Sequence, residues 1–237
     1  MLQIRFTRAS DRTKNKFTVF FMSISTKQLA MEIIVNKLNQ VIEAAYEKWC
    51  DSIVRNEIPT TNERTIQVYL AYIILKELES FECDNKYRIK VILEEDAGEQ
   101  HSSKTDGRAR CDIMVKAQGI NKPNKEYVAA IEMKCLKKRE VGKRNKPMTQ
   151  MRLSVLQDIE NLEKYSADLK FEIVYSNDRS YPHPTKKDVK NNIGSGVKID
   201  CNHINDLTGK LKNEYTIIWD ENTNAEIEHF FLKLKVK

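Results

Sequence analysis

The stretch Tyr127 to Leu136, Tyr-Val-Ala-Ala-Ile-Glu-Met-Lys-Cys-Leu, constrains the fold more than any other part of the chain. Its small and apolar residues suit a central strand, covered on both faces. Glu132 and Lys134 nevertheless stand inside it. Two apart on a strand, they point to one face, while Ile131, Met133 and Cys135 point to the other. A carboxylate and an ammonium in a covered strand must be paired or must serve a site. Any fold for this chain therefore centres on a sheet with charge in its middle.

The surrounding periodicity supplies the other elements. Leu29, Ile33, Leu38, Val41, Ala45, Trp49 and Ile53 recur at helical spacing, which predicts a helix over 27–56. Ser25 or Thr26 suits its start, and Pro59 ends the stretch. A second helix is expected over 61–81, with Ile66, Leu70, Ile73, Leu78 and Phe81 on one face and Tyr69, Tyr72 and Ile74 widening it. Strands are expected at Tyr87 to Leu93, Arg110 to Lys116 and Tyr127 to Leu136. The last two flank Gly119 to Lys125, whose Asn-Lys-Pro-Asn is turn chemistry and predicts a hairpin. A helix over 149–165 with Val155, Ile159 and Leu162 on one face precedes an apolar strand, Phe171 to Tyr175. From 177 to 212 no period holds. Tyr215 to Trp219 reads as a strand, and Glu226 to Leu234 as a short helix or strand. The fold class is α/β: a mixed central sheet flanked by helices, with a helical extension over 1–58 packed on a domain spanning 59–237. The core of that domain is expected over 61–176, with 177–237 as a C-terminal elaboration.

The hairpin brings a third charge to the pair. With its turn near 121 or 122, residues whose numbers sum to about 243 face each other. Asp112 then lies opposite Ile131, beside Glu132, and a twist or bulge brings the two carboxylates to one cation. Mg²⁺ takes hard oxygen ligands, commonly one or two carboxylates with phosphate and water. Such an ion lowers the pKa of a bound water and clamps a phosphoryl oxygen. Lys134 beside it would orient or deprotonate that water, or neutralise charge on the phosphate. A buried ion pair between Lys134 and a carboxylate is the alternative use of these groups.

Arg110-Cys111-Asp112-Ile113-Met114-Val115 followed by Ala130-Ile131-Glu132-Met133-Lys134-Cys135 resembles the signature of the PD-(D/E)XK nuclease superfamily. Cys111 stands where that signature has its loosely kept proline. The core order of the superfamily, α-β-β-β-α-β, is similar to the reading over 61–176. The resemblance implies a restriction-endonuclease-like fold, with Asp112 and Glu132 as metal ligands, the Met133 carbonyl as a third, and Lys134 as the catalytic lysine. It implies Mg²⁺ as cofactor, with Mn²⁺ able to substitute. It also points to Glu63, at the start of the second helix, as a metal ligand, although Thr60-x-x-Glu63 equally reads as a capping box. Gln150, early on the helix after Lys134, would lie near the scissile phosphate by the same resemblance, or else be a solvated first-turn residue.

Other charges are less specific. Glu94, Glu95 and Asp96 end the first strand and are either solvated or a source of one extra ligand. Asp158 and Glu160 read most simply as surface charges. Lys137, Lys138, Arg139, Lys143, Arg144 and Lys146 follow the Glu132 strand directly and would hold DNA phosphates over the metal, if they are not simply a solvated loop. Lys104, Arg108 and Arg110 add to the same surface. The four histidines lack metal-ligand spacing, and no role is assigned to them.

Composition sets the remaining bounds. The net charge of +6 over 237 residues fits a polyanionic partner without requiring one. Five cysteines without zinc or redox spacing predict free thiols in a reducing, cytoplasmic setting. The apolar run Phe17 to Ile24 is too short for a membrane span and reads as a strand or turn. The expected function is a metal-dependent DNA endonuclease using a metal-activated water, with no membrane partner and with a homodimer as one way to cut both strands. The alternatives are a nuclease fold kept only for nucleic-acid binding or assembly, and an RNA-cleaving enzyme of the same fold.

Overall fold

The computed structural model describes residues 26–80, 87–100, 108–120, 122–138, 147–185, 190–200, 211–223 and 227–237. The run Phe17 to Ile24, the basic residues Lys104, Arg139, Lys143, Arg144 and Lys146, and Phe81 lie outside them. The elements are α1 (Thr26–Val54), α2 (Glu63–Ser80), β1 (Tyr87–Gln100), β2 (Arg108–Gly119), β3 (Lys122–Leu136), α3 (Met148–Lys164), β4 (Leu169–Ser176), β5 (Lys198–Ile199), β6 (Tyr215–Thr216), β7 (Trp219–Asn222) and β8 (His229–Lys235). The order α2-β1-β2-β3-α3-β4 is the one the periodicity predicts. No helix among the described residues is long and apolar enough to cross a membrane.

A six-stranded mixed sheet, ordered β1-β2-β3-β4-β8-β7, forms the centre. β1, β2 and β3 are an antiparallel meander, and β4 lies parallel to β3. A parallel neighbour needs a crossover connection, which α3 supplies. Antiparallel β8 then covers β4, and β7 covers β8. The C-terminal region thus extends the sheet, and β4 becomes an interior strand with every side chain but Lys170 buried. The single strand expected over 215–219 is instead divided. Tyr215–Thr216 pairs with β5 in a separate two-stranded sheet, whereas Trp219 begins β7. The break falls at Ile217, whose N–H donates to the Val197 carbonyl.

Alternation along the strands builds two cores. Ile113, Val115, Ala117, Ala129, Ile131, Met133, Phe171 and Ile173 face α1 and α2. Met114, Ala130, Val174, Leu232 and Leu234 face α3 and the small sheet. On α1 the buried stripe runs through Ile34, Leu38, Val41, Ala45, Trp49 and Ile53, so Ile34 replaces the expected Ile33, which is exposed. On α2, Ile66, Leu70 and Ile74 are buried, but Tyr69 and Tyr72 face outward and do not widen the apolar face. The sheet and α1 cover only one stripe of this helix. Its N-terminus is capped by Asn62, whose Oδ1 accepts the Thr65 N–H. That displaces the capping box expected from Thr60 and leaves Glu63 free for another contact.

The hairpin tip carries the one register surprise. Gln118 pairs with Glu126, yet Gly119 pairs with Lys122. Residues 123–125 therefore bulge from β3, and the Pro-Asn expected in the turn belongs to that bulge. Below it, Ile113 pairs with Ile131. The register is one residue away from the expected one. One step further along, Asp112 falls across from Glu132 itself.

Candidate active site

The regular β2–β3 ladder ends at Ile113 and Ile131. There the Asp112 side chain takes over: its Oδ2 accepts the Met133 N–H at 2.8 Å. Its own carbonyl accepts from Gln67 Nε2 at 2.6 Å, which ties this end of β2 to α2. Past the last ladder pair, Ile113 with Ile131, the Asp112 and Glu132 carboxyls face each other across the end of β2 and β3. Glu132 is buried, and its Oε1 accepts the Tyr165 hydroxyl at 2.6 Å. Tyr165 ends α3 and packs in the α3-side core, so Glu132 is oriented from the opposite layer.

Lys134 lies two residues on, with its side chain mostly buried. Its ammonium is 2.5 Å from Asp158 Oδ2 and 3.7 Å from Glu63 Oε1. It also donates to the Met133 carbonyl at 3.1 Å. Glu63 uses its other oxygen to accept the Cys135 N–H. The expected residues Asp112, Glu132, Met133, Lys134 and Glu63 are therefore together. Asp158, which the sequence reading placed at the surface, and Glu172, which it did not single out, join them. Asp158 is buried against Lys134, and is not a surface charge. Glu172 sits on β4 in register with Glu132, is fully buried, and has no hydrogen-bond partner for either oxygen among the described residues. Glu160 is also buried and pairs with Lys164, again not at the surface.

Asp158 had a legible signal. It falls between Val155 and Leu162 on the buried face of α3, where a carboxylate needs a partner. Glu172 had none, because its neighbour depends on the β3–β4 register, which no local pattern encodes. Gln150 is not brought in: it is exposed in the first turn of α3, and its side chain hydrogen-bonds to no described residue. Glu94 pairs with Arg64 and Glu95 with Lys116, which keeps both on the β1 side of the sheet. Of the basic cluster, Lys137 donates to the Thr61 carbonyl at 2.8 Å, and Lys138 is exposed.

The electrostatics are unbalanced. Burial, then the Asp158 and Asp112 charges, lift the Glu132 carboxyl well above the usual carboxylate range. Burial, then Asp158, does the same to Glu172. Burial also raises Asp112, against the pull of Lys134 and the Met133 N–H. Lys134 behaves in the opposite sense. Burial disfavours its charge, but Asp158, Glu63, Asp112 and Glu172 outweigh it and hold the ammonium protonated well above its ordinary range. Five carboxyls thus share one ammonium, and two of them stay ionised only with difficulty. The neighbouring thiols are inert at neutral pH: burial pushes Cys135 up to about 12 and Cys111 up as well.

Among the described residues, no three Asp, Glu, His or Cys side chains converge tightly enough to hold a metal ion by themselves. Two carboxylates and a backbone carbonyl are a different donor set, and one that Mg²⁺ accepts with water completing it. The buried Glu172 carboxyl, without a hydrogen-bond partner among the described residues, and the local excess of negative charge fit a divalent cation at Asp112 and Glu132. Comparison of the chain with protein-family models, with curated proteins and with solved structures returned no match in any of the three.

Proposed function

We propose that the chain is a divalent-metal-dependent nuclease with a restriction-endonuclease-like core, acting on phosphodiester bonds of DNA. One observation carries the reading. Asp112 and Glu132 stand across from each other at the place where β2 leaves β3, with Asp112 Oδ2 on the Met133 N–H and the Lys134 ammonium on the Met133 carbonyl. Asp112, Glu132 and the Met133 carbonyl would hold Mg²⁺ or Mn²⁺. When bound, such an ion supplies an acidified water and a clamp on phosphate. Tyr165 fixes the Glu132 rotamer by donating to it, and the Met133 N–H fixes Asp112. Lys134, its ammonium held against Asp158, would orient the nucleophile and stabilise charge on the phosphate. Lys138 stands exposed past the end of β3, where a phosphate contact would position the duplex.

The test is direct. The purified chain is incubated with plasmid, linear and branched DNA, and with RNA, in Mg²⁺, Mn²⁺ or EDTA. We expect cleavage of DNA that EDTA abolishes, and a loss of about a hundredfold or more in Asp112→Ala and Lys134→Ala. Cleavage that persists unchanged in those variants sinks the assignment. Metal-independent DNA binding without cutting would favour a binding module on the same scaffold, and cutting confined to RNA would change the substrate.

A further inference from the structure

The Lys134 ammonium has three oxygen partners, and they do not do the same job. One is the Met133 carbonyl, the backbone oxygen assigned above to the cation. The second, Glu63, lies at the exposed start of α2, at 3.7 Å. The third, Asp158, is the closest, at 2.5 Å, and comes from the middle of α3. Val155, Ile159 and Leu162 fix that helix in the α3-side core, so Asp158 is an anchored charge and Glu63 is a partly screened one.

Resting on the nuclease reading, we propose that Asp158 is a positioning residue that tethers the Lys134 ammonium on the α3 side, beside the cation site and off the Asp112 and Glu132 carboxylates. The nearby negative groups show why a tether is needed. Asp112, Glu132 and Glu172 all act on this ammonium. Glu172 has no hydrogen-bond partner among the described residues, and Glu132 has a neutral one in the Tyr165 hydroxyl. Without Asp158, a flexible four-carbon stem lets the ammonium swing onto these carboxyls. There it would compete with a divalent ion for the same oxygens and leave the position it needs opposite the phosphate. Asp158 thus acts on the cation only through Lys134.

A double-mutant cycle separates this from a direct role. Mn²⁺ binding to the full chain is measured by calorimetry, and DNA cleavage is measured in parallel, for wild type, Asp158→Asn, Asp158→Glu, Lys134→Met and the Asp158→Asn/Lys134→Met double variant. Circular dichroism melts establish that each is folded. Asp158→Asn is expected to weaken Mn²⁺ binding about tenfold. Its kcat should fall more than its KM changes, and Asp158→Glu, which keeps the charge, should recover most of both losses. In the Lys134→Met background the Asp158→Asn change should leave Mn²⁺ affinity unmoved. An equal loss in both backgrounds means that Asp158 acts on the cation itself and overturns the tether. A wild type that binds Mn²⁺ and cuts DNA, matched by Asp158→Asn, overturns the tether alone. A wild type that neither binds Mn²⁺ nor cuts overturns the nuclease reading and takes the tether with it.

Discussion

Glu172 interrupts a largely apolar strand with a carboxyl that has no hydrogen-bond partner among the described residues and lies near Asp112, Glu132 and Asp158. A buried polar group without a partner costs roughly 1–3 kcal/mol. Glu172→Met should therefore stabilise the cation-free protein by about that amount, read as a higher Tm in EDTA. The pH dependence follows from the same shift. The folded-state pKa of Glu172 lies above its unfolded value, so the folded chain keeps the proton longer. Stability is then complete below the ordinary carboxylate range and falls as pH rises through the raised value. Glu132 contributes with the same sign. In EDTA, the wild-type Tm should drop as pH rises above the ordinary carboxylate range, and Glu172→Met should flatten the drop. A wild-type Tm that climbs over that window would contradict this account. At this scale Asp112, Glu132 and Lys134 were legible, because strand parity is local. The exact partner of Asp112 was not, because it hangs on the bulge at 123–125. Glu172 was silent because its meaning comes from a strand some forty residues away.

Among the elements, α2 shows how a cap and a site share one turn. Asn62 caps the helix, and Glu63 next to it reaches Lys134 and the Cys135 N–H. Asn62→Ala should cost about 1 kcal/mol in a denaturant melt. If Glu63 depends on that turn, the same variant also weakens Mn²⁺ binding, whereas a purely local cap leaves it unchanged. The helices and the meander were readable because each has an unbroken apolar period. The segments around Ile193 and Lys212 and the divided strand after them were not, because long-range anchors hold them. Glu163 on α3 accepts the Lys212 and Asn213 N–H groups and the Tyr215 hydroxyl. Trp219 donates to the Ile193 carbonyl. Such contacts leave no repeating trace along the chain.

For the whole molecule, the helix read as an extension is joined to the last strand of the sheet. Trp49 packs edge-on against Phe231 at 5.8 Å between ring centres. Lys233 pairs with Glu43 and lies over the Tyr46 ring, and Lys235 donates to Asn39. Trp49→Ala should cost about 3–5 kcal/mol, by far the largest loss among the changes considered, and a denaturant titration measures it. The sequence shows that α1 has an apolar stripe, but not that β8 lies against it. The separation has a consequence during synthesis. Glu43 and Lys233 are 190 residues apart, so α1 leaves the ribosome roughly 10–40 s before its partner at ~5–20 residues per second. Through that interval the Trp49 side of α1 has no β8 to close over it. A nascent chain arrested just after β4 should still be cut by protease within α1, and the cut should vanish once β8 has emerged. This helix is thus made long before the strand that completes its packing, and its uncovered stripe is where a chaperone would find the unfinished protein.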